Sequence, residues 1–167
     1  QNEIVTNLVL SNKQITQENI NKSKNFAIKK MINKNIKKSE IKKYEINDYS
    51  SDDLKNYITK VAKSLNTDQK GLKKIFKERN INYEIFVENY KTELLWNTLI
   101  FQIYRNQLNI NVVEVESEVE KVKQNRTEKE LKEIKKNILN SKKAEKLDLF
   151  SRSHFSRLEN SITVKFL

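Results

Sequence analysis

The chain has 167 residues, 33 of them Lys or Arg and 22 Asp or Glu, for a formal net charge of +11. That length suits one domain, or one compact domain with an appendage, and 37% apolar residues can fill a modest core. No cysteine is present, so disulfides, thiol nucleophiles and Cys-based zinc sites are excluded. A single histidine, His154, removes most catalytic and metal constellations that need two.

One glycine, Gly71, and no proline complete the exclusions. A Gly-rich phosphate loop cannot be built, so P-loop and Rossmann nucleotide binding are ruled out. Glycine-dependent hairpins and barrels are disfavoured. The 28 Lys against 5 Arg, with 22 Asn, 18 Ile and 3 Ala, follow A/T-rich codons, so part of the basic charge reflects codon bias. No apolar run reaches the roughly 18 residues of a membrane span. The chain opens on Gln1, and residues 1–15 lack a basic head followed by a long apolar run. The expectation is an exported protein whose leader has been removed, or a trimmed boundary.

Residues 4–10 (Ile-Val-Thr-Asn-Leu-Val-Leu) are apolar and β-branched, Ser11-Asn-Lys13 reads as a turn, and Gln14-Ile-Thr16 as a short return strand. From about 17 to 47 the pattern is helical, with Ile28, Met31, Ile32 and Ile36 at three- and four-residue steps and a polar break near 37–40. Ser50-Ser-Asp-Asp53 combines a capping hydroxyl with carboxylates suited to the helix dipole. Leu54, Tyr57, Ile58, Val61 and Leu65 then mark one face. Asn66-Thr-Asp68 caps a short helix with the stripe Leu72, Ile75 and Phe76, and Asn80-Ile-Asn82 breaks it.

A long helix is expected over 83–108. Its segment Leu94-Leu-Trp-Asn-Thr-Leu-Ile-Phe-Gln-Ile-Tyr104 is apolar around most of its circumference, which suits a central helix. Residues 109–113 read as an extended link and 114–123 as a new helix, and Asn125-Arg-Thr127 interrupts or caps it. Leu131, Ile134, Ile138 and Leu139 give one stripe, and Leu147, Phe150, Phe155 and Leu158 another. Residues 162–167 alternate like a strand. Two β-type pieces at opposite termini of a helical chain are expected to pair in one small sheet. The fold class is mostly α, a multi-helix domain with that small β element. Charge is uneven: +5 over 1–50, −1 over 51–120 and +7 over 121–167.

The middle of the chain resembles the N-terminal domain of the SurA family of periplasmic chaperones. The resemblance rests on Ser51-Asp-Asp-Leu-Lys-Asn-Tyr-Ile-Thr-Lys-Val-Ala-Lys-Ser-Leu-Asn-Thr-Asp-Gln69 and on Phe76-Lys-Glu-Arg-Asn-Ile-Asn-Tyr-Glu-Ile-Phe86. Residues 4–20 are similar to the family's opening strand pair and first helix start, and 137–167 to its final helix and strand. It is a likeness of pattern and order over most of the chain, without one decisive motif.

The resemblance implies a single chaperone domain over 1–167, with 1–123 as its N-terminal part and 124–167 packing back on it. It also implies a periplasmic location and unfolded outer-membrane proteins as clients. The family's parvulin-type isomerase domains are missing here: about a dozen residues around 123–135 stand in their place, without the glycines and paired histidines such a domain uses. The expectation is therefore a chaperone module that is not an enzyme and needs no cofactor.

An apolar client surface calls for aromatic and flexible side chains, and the candidates are Phe26, Met31, Trp96, Phe101, Phe150 and Phe155. The plainer reading of each is a core residue, and Trp96 could be the anchor of the central helix. His154 reads as a surface helix residue, since no carboxylate supports it as a base. Asp52 and Asp53 read as helix-start charges. Glu114, Glu116, Glu118 and Glu120 cannot all face one metal, and read as a solvated face.

Two rival readings remain. Lys29, Lys30, Lys34, Lys37, Lys38, Lys42 and Lys43 could form a phosphate-binding stripe. Against it, only five Arg are present and none cluster, so nucleic acid is not expected. An adaptor for one folded partner would share the same apolar surface.

Overall fold

In the computed structural model, residues 1–161 are described, and those residues form seven α-helices. They are α1 Asn2–Leu10, α2 Gln17–Lys43, α3 Ser51–Ser64, α4 Gln69–Glu78, α5 Tyr83–Tyr104, α6 Val112–Lys121 and α7 Glu128–Ser161. A 3₁₀ turn, Arg105–Gln107, follows α5. The mostly helical class is correct. The chain divides into two compact units, Gln1–Leu99 and Ile100–Leu167, the division falling within α5.

With one glycine available, asparagine ends the helices. Asn12, Asn66 and Asn80 each take a positive φ of 52–53° just past α1, α3 and α4, and Glu45 does so past α2. Their neighbours close the same pair of bonds each time. Beyond α4, Asn80 N–H reaches Lys77 O at 3.1 Å and Ile81 N–H reaches Phe76 O at 2.8 Å. Beyond α3, Asn66 N–H reaches Lys63 O and Thr67 N–H reaches Ala62 O. This Schellman arrangement normally takes glycine; asparagine is the usual substitute because its short polar side chain tolerates the left-handed region. Where the residue after the turn is apolar it packs inward: Ile46 and Ile81 are both buried.

The starts are equally local. Ser50 Oγ accepts from Asp53 N–H and Asp68 Oδ1 from Gly71 N–H, as the two capping signals predicted. The only glycine thus sits in the first turn of α4, where a Cβ would fall 1.8 Å from Thr67 Oγ1. Thr127 and Glu130 form a reciprocal capping box at α7, and the Thr127 backbone and hydroxyl bonds hold the Glu130 carboxyl below its usual range.

In the Gln1–Leu99 unit, α3 packs on α4 and α1 on α2. Ile58, Ala62, Leu72, Phe76, Ile81, Phe86 and Val9 form one core cluster. Phe76 meets Phe86 edge-on at 5.1 Å. Leu72, Phe76, Leu99 and Trp96 are all 1% exposed or less, whereas Ile85 and Phe101 of α5 are exposed, so the apolar circumference of that helix is only partly covered.

Three expectations change. The strand over residues 4–10 is instead the helix α1, and residues 13–16 run to α2 without pairing. The segment satisfies both periods: Val5, Leu8 and Val9 alternate poorly but share a helical face with the buried Thr6 nearby, and that face packs on the core. Asn82 N–H donates to Asn2 Oδ1 at 2.6 Å, which ties the start of α1 to the α4–α5 turn. The proposed partner segment, 162–167, lies outside the described residues. In α2 no break occurs at 37–40; Glu40 and Ile41 are buried there and the helix runs on to Lys43. Finally, the link over 109–113 is shorter than expected, because Asn111 caps α6 through a bond from Val113 N–H.

In the Ile100–Leu167 unit, α6 packs along α7. Val115 is fully buried, while no residue of α7 is. The alternate glutamates of α6 are solvated, as expected, with side chains 44–70% exposed, and three of them make surface ion pairs with α7. Glu114 and Glu118 both pair with Lys142, and Glu116 pairs with Lys135. The Glu118 hydrogen bond raises the Lys142 ammonium above its ordinary range.

Candidate functional site

Four helices of the Gln1–Leu99 unit converge on a groove of about 410 Å³. The row 30, 33, 37 on α2 advances by one helical turn at each step and so lines one wall. Lys34 joins that row. From α1 come Glu3, Thr6 and Leu10, from α3 Tyr57, and from α5 Phe86, Asn89, Tyr90 and Glu93. The floor is aromatic, since Tyr57 stacks on Tyr90 and lies 5.9 Å from Phe86. Burial, followed by the charges of Tyr90 and Glu3, raises the Tyr57 hydroxyl above its ordinary pKa.

Polar side chains knit the walls. Lys34 Nζ donates to Asn89 Oδ1 at 2.9 Å, and Asn89 Nδ2 donates to Glu3 Oε2 at 2.9 Å. Glu3 is 8% exposed and pairs with Lys30, while Lys37 pairs with Glu93 and lies 5.6 Å from the Trp96 ring centroid. Three lysines therefore share the groove with two carboxylates. Among the described residues two buried acceptor atoms of the groove have no hydrogen bond, Glu3 Oε1, which is ion-paired with Lys30, and Asn33 Oδ1. Leaving a buried acceptor open costs about 1–3 kcal/mol.

The six predicted client-binding residues are divided three and three between the two units. Phe26 and Met31 lie on α2, 56% and 50% exposed. Phe26 stands one turn before Lys30 and so extends the row that lines the groove. Met31 lies off that row. Trp96 takes the interior one of its two readings: at 1% exposure it cannot present an open face. Phe101, Phe150 and Phe155 belong to the Ile100–Leu167 unit. Phe101 is exposed, whereas Phe150 and Phe155 are half-buried.

Phe150 stacks on Tyr104 with centroids 4.6 Å apart and planes 7° from parallel. His154 meets the same ring edge-on, and its Nδ1 is 3.0 Å from the Tyr104 hydroxyl, which also accepts from Arg157. His154 is thus a packing residue of α7 and not a bare surface one.

Sequence reasoning missed Glu3, Asn33, Tyr57, Asn89 and Tyr90 as groove residues. The signal present was the α2 row 26, 30, 33, 37, which the emphasis on isoleucines hid. The basic stripe is also redistributed: Lys30, Lys37 and Lys38 pair with Glu3, Glu93 and Glu88, and Lys43 with Glu40. Among the described residues no group of three or more His, Asp or Glu is placed to hold a metal, and no helix is long and apolar enough to cross a membrane.

No family model, curated protein or solved structure matches this chain. Nothing in these comparisons identifies a SurA-like protein.

Proposed function

We propose that the chain holds unfolded polypeptides without ATP, as a chaperone module of the SurA kind. The observation that carries this reading is a concentration of open apolar side chains at the start of α2. Ile15, Phe26, Ile28 and Met31 are 40–56% exposed within seventeen residues, interleaved with Lys22, Lys24, Lys29 and Lys30. Apolar groups ringed by charge suit clients that must be held yet stay soluble. A flexible Met beside an aromatic accepts varied sequences.

The succession of capped α3, short α4 and apolar α5 supports the family part of the reading, and α1 in place of an opening strand departs from it. Nucleotide independence follows from a chain with one glycine. Periplasmic residence and outer-membrane clients belong to the same proposal, as does the lack of isomerase activity. Burial at about 25 cal/mol per Å², offset by the ordering of both partners, gives micromolar binding.

The test is light scattering from an aggregating unfolded protein, with and without this chain at a few-fold molar excess. Suppression across several unrelated clients supports holding. No suppression refutes it, and suppression of one client only favours an adaptor for a single partner.

A further inference from the structure

The α3–α4 pair carries a separate assignment, independent of the holding activity proposed above. We infer that it docks on a nucleic-acid duplex as a helix-turn-helix, with α4 in the major groove and its lysines on the bordering phosphates.

The local structure has the form such docking needs. Four residues, 65–68, join Ser64 to Gln69, and Asn66 turns the chain there at φ 53°, a left-handed position that favours glycine. Thr67 N–H closes the turn on Ala62 O at 3.0 Å. Ile58 and Ala62 of α3 then join Leu72 and Phe76 of α4 in the core cluster, which fixes the pair. The other side of α4 faces outward. Lys70, Lys73, Lys74 and Lys77 are all exposed, and their steps of three, one and three spread them over about 100° of the helix, opposite Leu72 and Phe76. Ten residues make a rod about 15 Å long, and its width of about 10–12 Å fits a major groove about 12 Å wide.

Charge complementarity names the occupant. Residues 55–79 hold eight basic residues against Asp68 and Glu78, a net +6, although the whole of 51–120 sums to −1. The charge is therefore concentrated on this pair and not spread by composition. It is also left open. Lys55, Lys60, Lys63, Lys70, Lys77 and Arg79 have no ion pair among the described residues, and Lys74 meets only Glu78, at 4.0 Å. On α2, by contrast, Lys30, Lys37, Lys38 and Lys43 are paired with glutamates. An ammonium meets phosphate as a point charge, so the face reads the backbone and not the bases. Scarce arginine counts against base readout only. Among the described residues none of the exposed large apolar side chains lies on α3 or α4, so the face has nothing to sink into a lipid layer.

Fluorescence anisotropy of a labelled duplex of about 20 base pairs, at several salt concentrations, tests this. One variant combines Lys70→Gln, Lys73→Gln, Lys74→Gln and Lys77→Gln. A control combines Lys24→Gln, Lys29→Gln, Lys136→Gln and Lys143→Gln, exposed positions of α2 and α7, so both lose four charges. The α4 variant should bind at least about ten-fold more weakly, and its slope of log K against log salt should be shallower by about three to four. The control should stay within about three-fold of wild type, as should duplexes of unrelated sequence.

Equal losses in the two variants overturn the proposal, because net charge alone then accounts for binding. Tighter binding of single-stranded DNA than of the duplex overturns the docking in a groove. Binding to phosphatidylglycerol vesicles without binding to the duplex overturns it in favour of a lipid surface. If the fourfold α4 variant fails to fold, Lys70→Gln with Lys77→Gln decides the same point, with a slope change of about two.

Discussion

The rings of Tyr57 on α3 and Tyr90 on α5 lie parallel within 5°, their centroids 3.5 Å apart. The stack joins two helices whose starts are 32 residues apart in sequence and gives the groove its floor. Burial raises both hydroxyls above their ordinary pKa near 10; the charge of Tyr90 adds to the effect at Tyr57, and those of Asp53 and Glu93 at Tyr90.

A pH dependence follows from the stack. Below pH 10 both tyrosines are protonated in the folded and unfolded states, and stability is fully present. Above it the unfolded chain ionises first, so stability falls as pH rises through the raised folded values. Denaturant melts between pH 8 and about 11 should show this loss, and Tyr57→Phe should reduce its slope. An unchanged slope in Tyr57→Phe would show that burial of this hydroxyl is not linked to folding.

The left-handed cap of α2 offers a stabilising substitution. Glu45 occupies it at φ 53°, where a side chain without asparagine's tolerance costs roughly 1–2 kcal/mol. Glu45→Gly should therefore raise stability by about 0.5–1 kcal/mol, allowing for the greater freedom of glycine in the unfolded chain. Asn80→Ala at the equivalent position should lower it by about 1 kcal/mol. Urea midpoints of the two variants should move in opposite directions.

Core and surface aromatics should separate cleanly. Phe76 is wholly buried against Phe86, and Phe76→Ala should cost about 3–5 kcal/mol. Phe26 is more than half exposed, so Phe26→Ala should stay within about 0.5 kcal/mol of wild type while weakening client binding. A large stability loss in Phe26→Ala would remove it from the client surface.

In the Ile100–Leu167 unit the Tyr104 hydroxyl joins His154 and Arg157, while its ring stacks on Phe150. Tyr104→Phe keeps the stack and deletes the hydroxyl, and should cost about 1–2 kcal/mol. Faster amide exchange in α7 around residues 150–157, with α3 and α4 unchanged, is the expected reading.

Capping makes the helix plan legible. Ser50, Asp68 and the breaks at Asn66 and Asn80 act within a few residues, so their chemistry is fully written in the local sequence. The 3.6-residue stripe of α3 is legible in the same way, because burial of that face needs no knowledge of the partner. Residues 4–10 mislead because their β-branched composition suits a strand while their spacing also suits a helix. Packing against the core of the Gln1–Leu99 unit decides between them.

The candidate site is legible only in part. Exposed Phe26 and Met31 stand out in the sequence, yet Asn33, Glu3 and Asn89 carry no signal of their own. Their meaning comes from distance: Glu3 and Asn89 bond across 86 residues, and Lys34 and Asn89 across 55. By itself the sequence determined the composition limits and most helix starts and stops, since these depend on short-range capping and on apolar periodicity. Only the tertiary structure decided that α1 is a helix, that Trp96 is interior and that Asn33 Oδ1 is buried without a hydrogen bond among the described residues. Such outcomes depend on which side chains from distant helices share a space, and no local pattern encodes that.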